Sequence, residues 1–182
     1  MRRARAESFA ALYDEHVERV YGFFGYRVSS REDAEDLTQA TFERALKAWR
    51  RFDPRRASAA TWLLAIARNL LIDHLRRQGG QKIHPLNLAE PDNATPELHT
   101  TDDPRLGLSP ELERALATLS ERDRELIALR FGADLTGPEI AEFTGLSLAN
   151  VQQIISRSLR RLRAELETSH VPRGADRSGD TR

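Results

Sequence analysis

A polar stretch holding four prolines, residues 81–108 (QKIHPLNLAEPDNATPELHTTDDPRLGL), splits this sequence into two blocks of helical periodicity. Pro85, Pro91, Pro96 and Pro104 punctuate it, and no sustained apolar period runs through it. A structureless segment of that length is uncommon inside one compact domain. It predicts two domains, 1–80 and 109–170, joined by an acidic flexible linker, with a polar tail at 171–182. The chain has 182 residues, enough for one ordinary domain or two small ones. The expected fold class is all-α: two helical domains and an extended linker.

In the first block Phe9, Leu12, Tyr13, Val17, Val20, Tyr21 and Phe24 recur at spacings of three and four, one apolar stripe of a helix. Ser29-Ser30 stops it and supplies an N-cap for a second helix, which runs to about Phe52, where Asp53-Pro54 breaks it. A third helix covers about Ser58 to Gln78 and ends at Gly79-Gly80. In the second block Ser109-Pro110 and Ser120 are helix starts, Gly132 closes a helix, and Thr136-Gly137-Pro138-Glu139 reads as a capping box. Ser147 caps a last helix reaching about Glu167.

Charge limits the partners. The chain has 28 basic and 28 acidic side chains. Residues 1–80 carry 15 basic and 11 acidic, residues 81–108 carry 2 and 5, and residues 109–170 carry 8 and 10. A freestanding DNA binder draws most of its affinity from phosphate neutralisation. This balance therefore predicts weak DNA binding alone and dependence on a partner. No apolar run approaches the roughly 20 residues of a membrane span. Asp14, Glu15 and His16 interrupt any signal-peptide core, so the expected location is cytoplasmic, with no direct membrane insertion. The absence of cysteine excludes disulfides and thiolate chemistry.

The span Gly137–Ser156, GPEIAEFTGLSLANVQQIIS, has the spacing of a helix-turn-helix. Ala141 is small where two helices cross, Gly145 suits a positive φ at the turn, and Val151 anchors the second helix. Ile140 and Leu146 fill the core between them. Leu148, Val151, Ile155, Leu159, Leu162 and Leu166 form the expected buried stripe of that second helix. Asn150, Gln153, Arg157 and Arg160 form an outward one. Asn and Gln match adenine edges in a major groove, and Arg matches guanine or phosphate. The bland alternative is a solvated helix whose C-terminal arginines suit its dipole. The motif alone does not separate a promoter-recognition factor from a repressor.

The second helix sets Leu37, Thr41, Ala45, Ala48 and Phe52 on one side. Glu32, Asp36, Gln39, Glu43, Lys47 and Arg50 lie on the other, which composition reads as a solvated face. The third, TWLLAIARNLLIDHLRR, is apolar almost all round, yet Trp62, Ala65, Asn69, Asp73 and Arg76 share a stripe. Polar groups there need partners. An internal network supplies them, or an unstacked base does, since aromatic, amide and arginine groups together suit single-stranded DNA.

The strings DAEDLTQATFERALKAWRRFD and TWLLAIARNLLIDHLRRQ resemble region 2 of the bacterial extracytoplasmic-function (ECF) sigma factors. LSERDRELIALRFGADLTGPEIAEFTGLSLANVQQIISRSLRRLR resembles their region 4. The matches stand in the family's order and cover most of residues 8–167. The resemblance implies a transcription initiation factor that brings core RNA polymerase to promoter DNA. It implies contacts from Asp33, Asp36, Gln39 and Glu43 to the polymerase clamp helices. It implies −10 recognition and melting by Trp62, Asn69, Asp73, Arg76 and Arg77. It implies −35 duplex contacts from Asn150, Gln152, Gln153, Ser156, Arg157 and Arg160, with the first two helices of region 4 meeting the polymerase flap. An anti-sigma factor is a further implied partner. One departure is that many relatives have basic residues at the positions of Gln152 and Ile154.

Hydrolase, kinase and dehydrogenase readings lack a site. His16, His74, His84, His99 and His170 form no HExxH-like spacing, and no phosphate-binding glycine loop or GxSxG elbow occurs. No enzyme activity, metal or cofactor is expected. The runner-up is a free-standing helix-turn-helix regulator, which would bind duplex tightly without polymerase.

Overall fold

The computed structural model describes residues 2–79 and 108–169. The order is α1 (Arg2–Gly25), α2 (Arg31–Ala48), a 3-10 turn (Trp49–Arg51), α3 (Ala59–Gly79), α4 (Pro110–Ala117), α5 (Glu121–Ile127), a π turn (Ala128–Gly132), α6 (Gly137–Thr144) and α7 (Leu148–Ser169). No strand occurs among the described residues. The expected tail, and the expected linker up to its last residue Leu108, lie outside them, with His84, His99 and His170.

Local chemistry places the helix starts. The side chains of Ser30, Ser109 and Ser120 accept hydrogen bonds from the backbone N–H of Asp33, Leu112 and Asp123 at 3.2, 3.3 and 3.2 Å. Thr136 and Glu139 form the expected capping box, in which the Thr136 N–H donates to Glu139 Oε2 at 2.8 Å. Each such cap contributes about 1 kcal/mol. α2 ends at Ala48, four residues before the expected Phe52, because its last turn tightens into the 3-10 turn.

α1, α2 and α3 pack pairwise into the N-terminal bundle. Phe23, Phe24, Leu63, Leu64 and Leu71 are fully buried at its centre. Thr38 and Thr41 are buried on α2, and each hydroxyl donates to the carbonyl one turn back at 2.7 Å, so neither is left unsatisfied. In the C-terminal domain α7 packs on α4, α5 and α6.

The two domains touch. α1 packs along the π turn, and one buried apolar cluster runs from Phe24 and Leu63 through Leu129 and Leu135 to Ile140 and Val151. Backbone meets backbone between Gly22 and Gly132. A Cβ on either would collide with the other's carbonyl. Charge seals the same interface. Arg27 Nη2 donates to Glu121 Oε2 at 2.5 Å, and its Nη1 donates to the Glu121 carbonyl at 2.8 Å. Arg68 Nε donates to Glu125 Oε1 at 2.6 Å. Arg27, Glu121, Arg124 and Glu125 are all buried. Burial by itself raises the Glu121 carboxyl, but the Arg27 and Arg124 guanidiniums outweigh it and hold the group below its usual value. Burial also lowers Arg124 to about 10, against the pull of Glu121, so Glu121 and Arg124 stay charged at neutral pH.

Candidate nucleic-acid interface

α6 and α7 build the turn. Gly145 caps α6 in the left-handed region at φ 73°, and its N–H donates to the Ala141 carbonyl at 2.9 Å. A residue with a Cβ is strained there. Ile140 and Val151 are fully buried in one apolar cluster, and Ser147 Oγ accepts from the Asn150 N–H at 3.3 Å to start α7.

α7 then presents Gln152, Gln153, Ser156, Arg157 and Arg160 to solvent, while Asn150 is half-buried. Arg157 Nη2 also reaches both carboxylate oxygens of Asp123 on α5 at 3.2 Å, which steadies it. The buried stripe differs from the expected one. It is Val151, Ile154, Ser158 and Leu162, flanked by half-buried Ile155 and Leu166. Leu148 and Leu159 are 40% and 42% exposed. The supporting helices lie on one side only, and that side is centred one position away from the leucine spacing. Ile154 at 3% exposure belongs to the core and is unavailable to DNA, so its lack of charge bears on packing rather than on −35 contacts.

On α3, Asn69, Arg76 and Arg77 are exposed and Asp73 is half-buried. The polar stripe thus faces outward rather than into an internal network. Arg77 Nε donates to the Asp73 carbonyl at 3.1 Å. Trp62 stands apart from them in an aromatic cluster. Its ring lies 4.8 Å from Phe52 and 6.1 Å from Trp49, Phe52 stacks on Trp49 at 5.3 Å, and Phe9 meets Trp49 edge-on at 5.6 Å. Trp62 is half-buried, so one part of the ring packs and another meets solvent.

On α2, Asp36, Gln39 and Glu43 are exposed on one side, and Gln39 Nε2 donates to Glu43 Oε1 at 3.1 Å. Asp33 turns towards α3 instead, 3.7 Å from His74 Nε2, and accepts from Gln78 Nε2 at 3.4 Å. Beside the stripe an open groove of about 640 Å³ runs between α1 and α2. Tyr13, Phe42 and Leu46 line it, with Glu18, Glu35 and Glu43 among its walls. The interdomain charges Arg27, Arg68, Glu121 and Glu125 escaped the sequence reading. The available signal was the run ERDRELIALRF, where Glu121, Arg124 and Glu125 share a helix side with core residues.

The family models for Sigma-70 region 2 and Sigma-70 region 4 match residues 12–81 and 115–164. Fold and matches define a two-domain helical transcription initiation factor. The ECF RNA polymerase sigma factor RpoE of Cereibacter sphaeroides is 36% identical over 87% of this chain and 86% of its own length. The chain belongs to the ECF family of RNA polymerase sigma factors. Among solved structures, that of CnrH in complex with the cytosolic domain of CnrY is similar at TM-score 0.62 and 25% identity, covering 90% of each chain. The sigma factor RpoE in complex with the anti-sigma factor NepR from Bartonella quintana shares the fold at TM-score 0.65 and 22% identity, covering 90% of this chain and 99% of that one. No helix among the described residues is long and apolar enough to cross a membrane.

Proposed function

We propose that this sigma factor divides its work among three outward faces. In this assignment residues 1–80 form the region 2 domain, 81–108 the linker and 109–170 the region 4 domain. Asp36, Gln39 and Glu43 on α2 bind the clamp helices of core RNA polymerase, with the adjoining groove as an apolar seat. Asp33 serves from the edge of that face and also tethers α3.

Asn69, Asp73, Arg76 and Arg77 on α3, with the solvent side of Trp62, hold the opened −10 strand. A flipped base loses a few kcal/mol of stacking, which stacking on an aromatic and hydrogen bonds to amide and carboxylate offset. Gln152, Gln153, Ser156 and Arg160 on α7 read the −35 duplex in the major groove, with Asn150 and Arg157 at the margins. The protein catalyses no reaction of its own and works in the cytoplasm beside the polymerase. The likeness to a sigma factor solved in complex with the anti-sigma factor NepR supports control by an anti-sigma factor here too.

The observation that carries this reading is the exposure of the α7 polar stripe over a firmly seated helix-turn-helix. Run-off transcription with core polymerase and a promoter library tests it. The expected result is selective initiation that fails with Asp36→Arg. Tight duplex binding without polymerase, together with no transcription, would instead establish a free-standing regulator.

A further inference from the structure

The interdomain contact has a chemical asymmetry. Arg27 and Arg68 belong to the N-terminal domain, and the carboxylates that hold them, Glu121 and Glu125, belong to α5 of the other. Arg68 meets Glu125 in a fork, with Nε to Oε1 at 2.6 Å and Nη2 to Oε2 at 3.4 Å. Arginine holds carboxylates and phosphates through the same paired donors. Glu121 and Glu125 are one helical turn apart, about 6 Å along the axis, a separation comparable to successive phosphates on an extended strand.

Arg68 also sits beside the proposed DNA face of α3. At 100° per residue it lies about 100° from Asn69 and about 80° from Arg76 around the helix. When the domains part, the carboxylates leave with α5, and both arginines stay, uncovered, with Arg68 next to that face. The docked pair is held by a fit without slack, since Gly22 and Gly132 leave no room for a Cβ. The contact therefore has two independent points of attack, one steric and one electrostatic.

We propose that Arg27 and Arg68 form a phosphate-binding site for the backbone of single-stranded DNA, and that Glu121 and Glu125 occupy it in the docked state as an intramolecular stand-in. The docked chain thereby masks part of its own strand-binding surface. This rests on the reading of α3 as the strand-facing helix. Binding of DNA and docking of α5 are mutually exclusive at these two guanidiniums.

The probe is a fluorescein-labelled single-stranded oligothymidylate of about 20 nucleotides, titrated with the full chain and followed by anisotropy at several salt concentrations. Because the chain lacks cysteine, dyes at Lys47→Cys and Glu142→Cys report the interdomain distance by energy transfer. Gly22→Ala opens the contact by collision without touching a charge, and alanine suits a helix interior better than glycine. Glu125→Arg opens it by repulsion, and it carries the test if circular dichroism shows that Gly22→Ala disturbs α1.

The expected result is loss of energy transfer in both variants and about tenfold tighter oligonucleotide binding. The salt slope should steepen by about 0.7 for each added phosphate contact. Adding Arg68→Gln to Gly22→Ala should remove most of that gain. Domain separation with unchanged affinity and slope overturns the proposal. So does indifference to Arg68→Gln, or failure of both variants to separate the domains. No polymerase enters this assay. If the chain directs transcription but the oligonucleotide does not respond, only the phosphate site falls. If the oligonucleotide responds but transcription fails, the sigma-factor roles fall and the site stands.

Discussion

α3 and α7 are nearly equal in length, at 21 and 22 residues, and each carries one of the proposed DNA faces. They reach solvent differently. α3 is wrapped by α1 and α2 and touches α5 through Arg68, so Leu63, Leu64, Ala67, Leu70 and Leu71 are all buried and its polar stripe is a narrow window. α7 lies on the outside of α4, α5 and α6, so one stripe is buried and most of its circumference is open. An apolar residue on α3 therefore does structural work almost wherever it falls. On α7 the same residue type does so only on one side.

The largest expected effect tests that contrast in stability. Leu63→Ala on α3 should lower unfolding free energy by about 2–5 kcal/mol, whereas Leu159→Ala on α7 should stay within about 0.5 kcal/mol. Urea denaturation of both variants measures it, and equal losses would break the distinction.

Next come the faces themselves. Gln153→Ala and Arg160→Ala should each weaken use of a −35 element by about 1–3 kcal/mol of binding free energy while leaving the melting temperature near the parent value. Promoter titrations of the polymerase complex, beside thermal scans, check both halves. A variant that loses promoter use by unfolding would show that the outward stripe of α7 is structural.

A smaller effect concerns what seats α7. Thr136→Ala removes the cap of α6 and should cost about 1 kcal/mol, read as a lower urea midpoint, with −35 binding weakened and oligothymidylate binding unaffected. The smallest lies in α1, on which α3 leans. His16 is buried, and that burial, with Arg19 adding to it against Glu15, lowers its pKa. The folded state therefore prefers the neutral ring. Stability should be complete above pH about 6.5, the unfolded value, and decline as pH falls through the window below it, because the unfolded chain takes up the proton first. His16→Gln should flatten that part of the stability profile. An unchanged profile would mean that the ring takes up its proton as readily folded as unfolded.

Much of this was legible in the chain. Ser30, Ser109, Ser120 and the Thr136–Glu139 pair marked helix starts correctly because capping is settled within four residues. The solvent side of α2 followed from spacing alone, since a charged row at periods of three and four has only water to face. The buried stripe of α7 lies one position away from the one that leucine spacing predicts. Leucines at 148 and 159 fit a helical repeat as well as Ile154 does, and only the placement of α4, α5 and α6 selects between them. Sequence leaves the stripe on α3 open between an internal network and an outward face, because an almost wholly apolar helix gives periodicity nothing to contrast.

Local sequence determined the helices, their ends and the family to which the chain belongs, because caps, breakers and apolar periods act over a few residues. The tertiary structure decided which arginines meet which carboxylates across residues 27 to 125, and that two glycines far apart in the chain touch. Those are contacts between distant segments. Their energy depends on burial and facing geometry, and neither is a property of any short stretch of sequence.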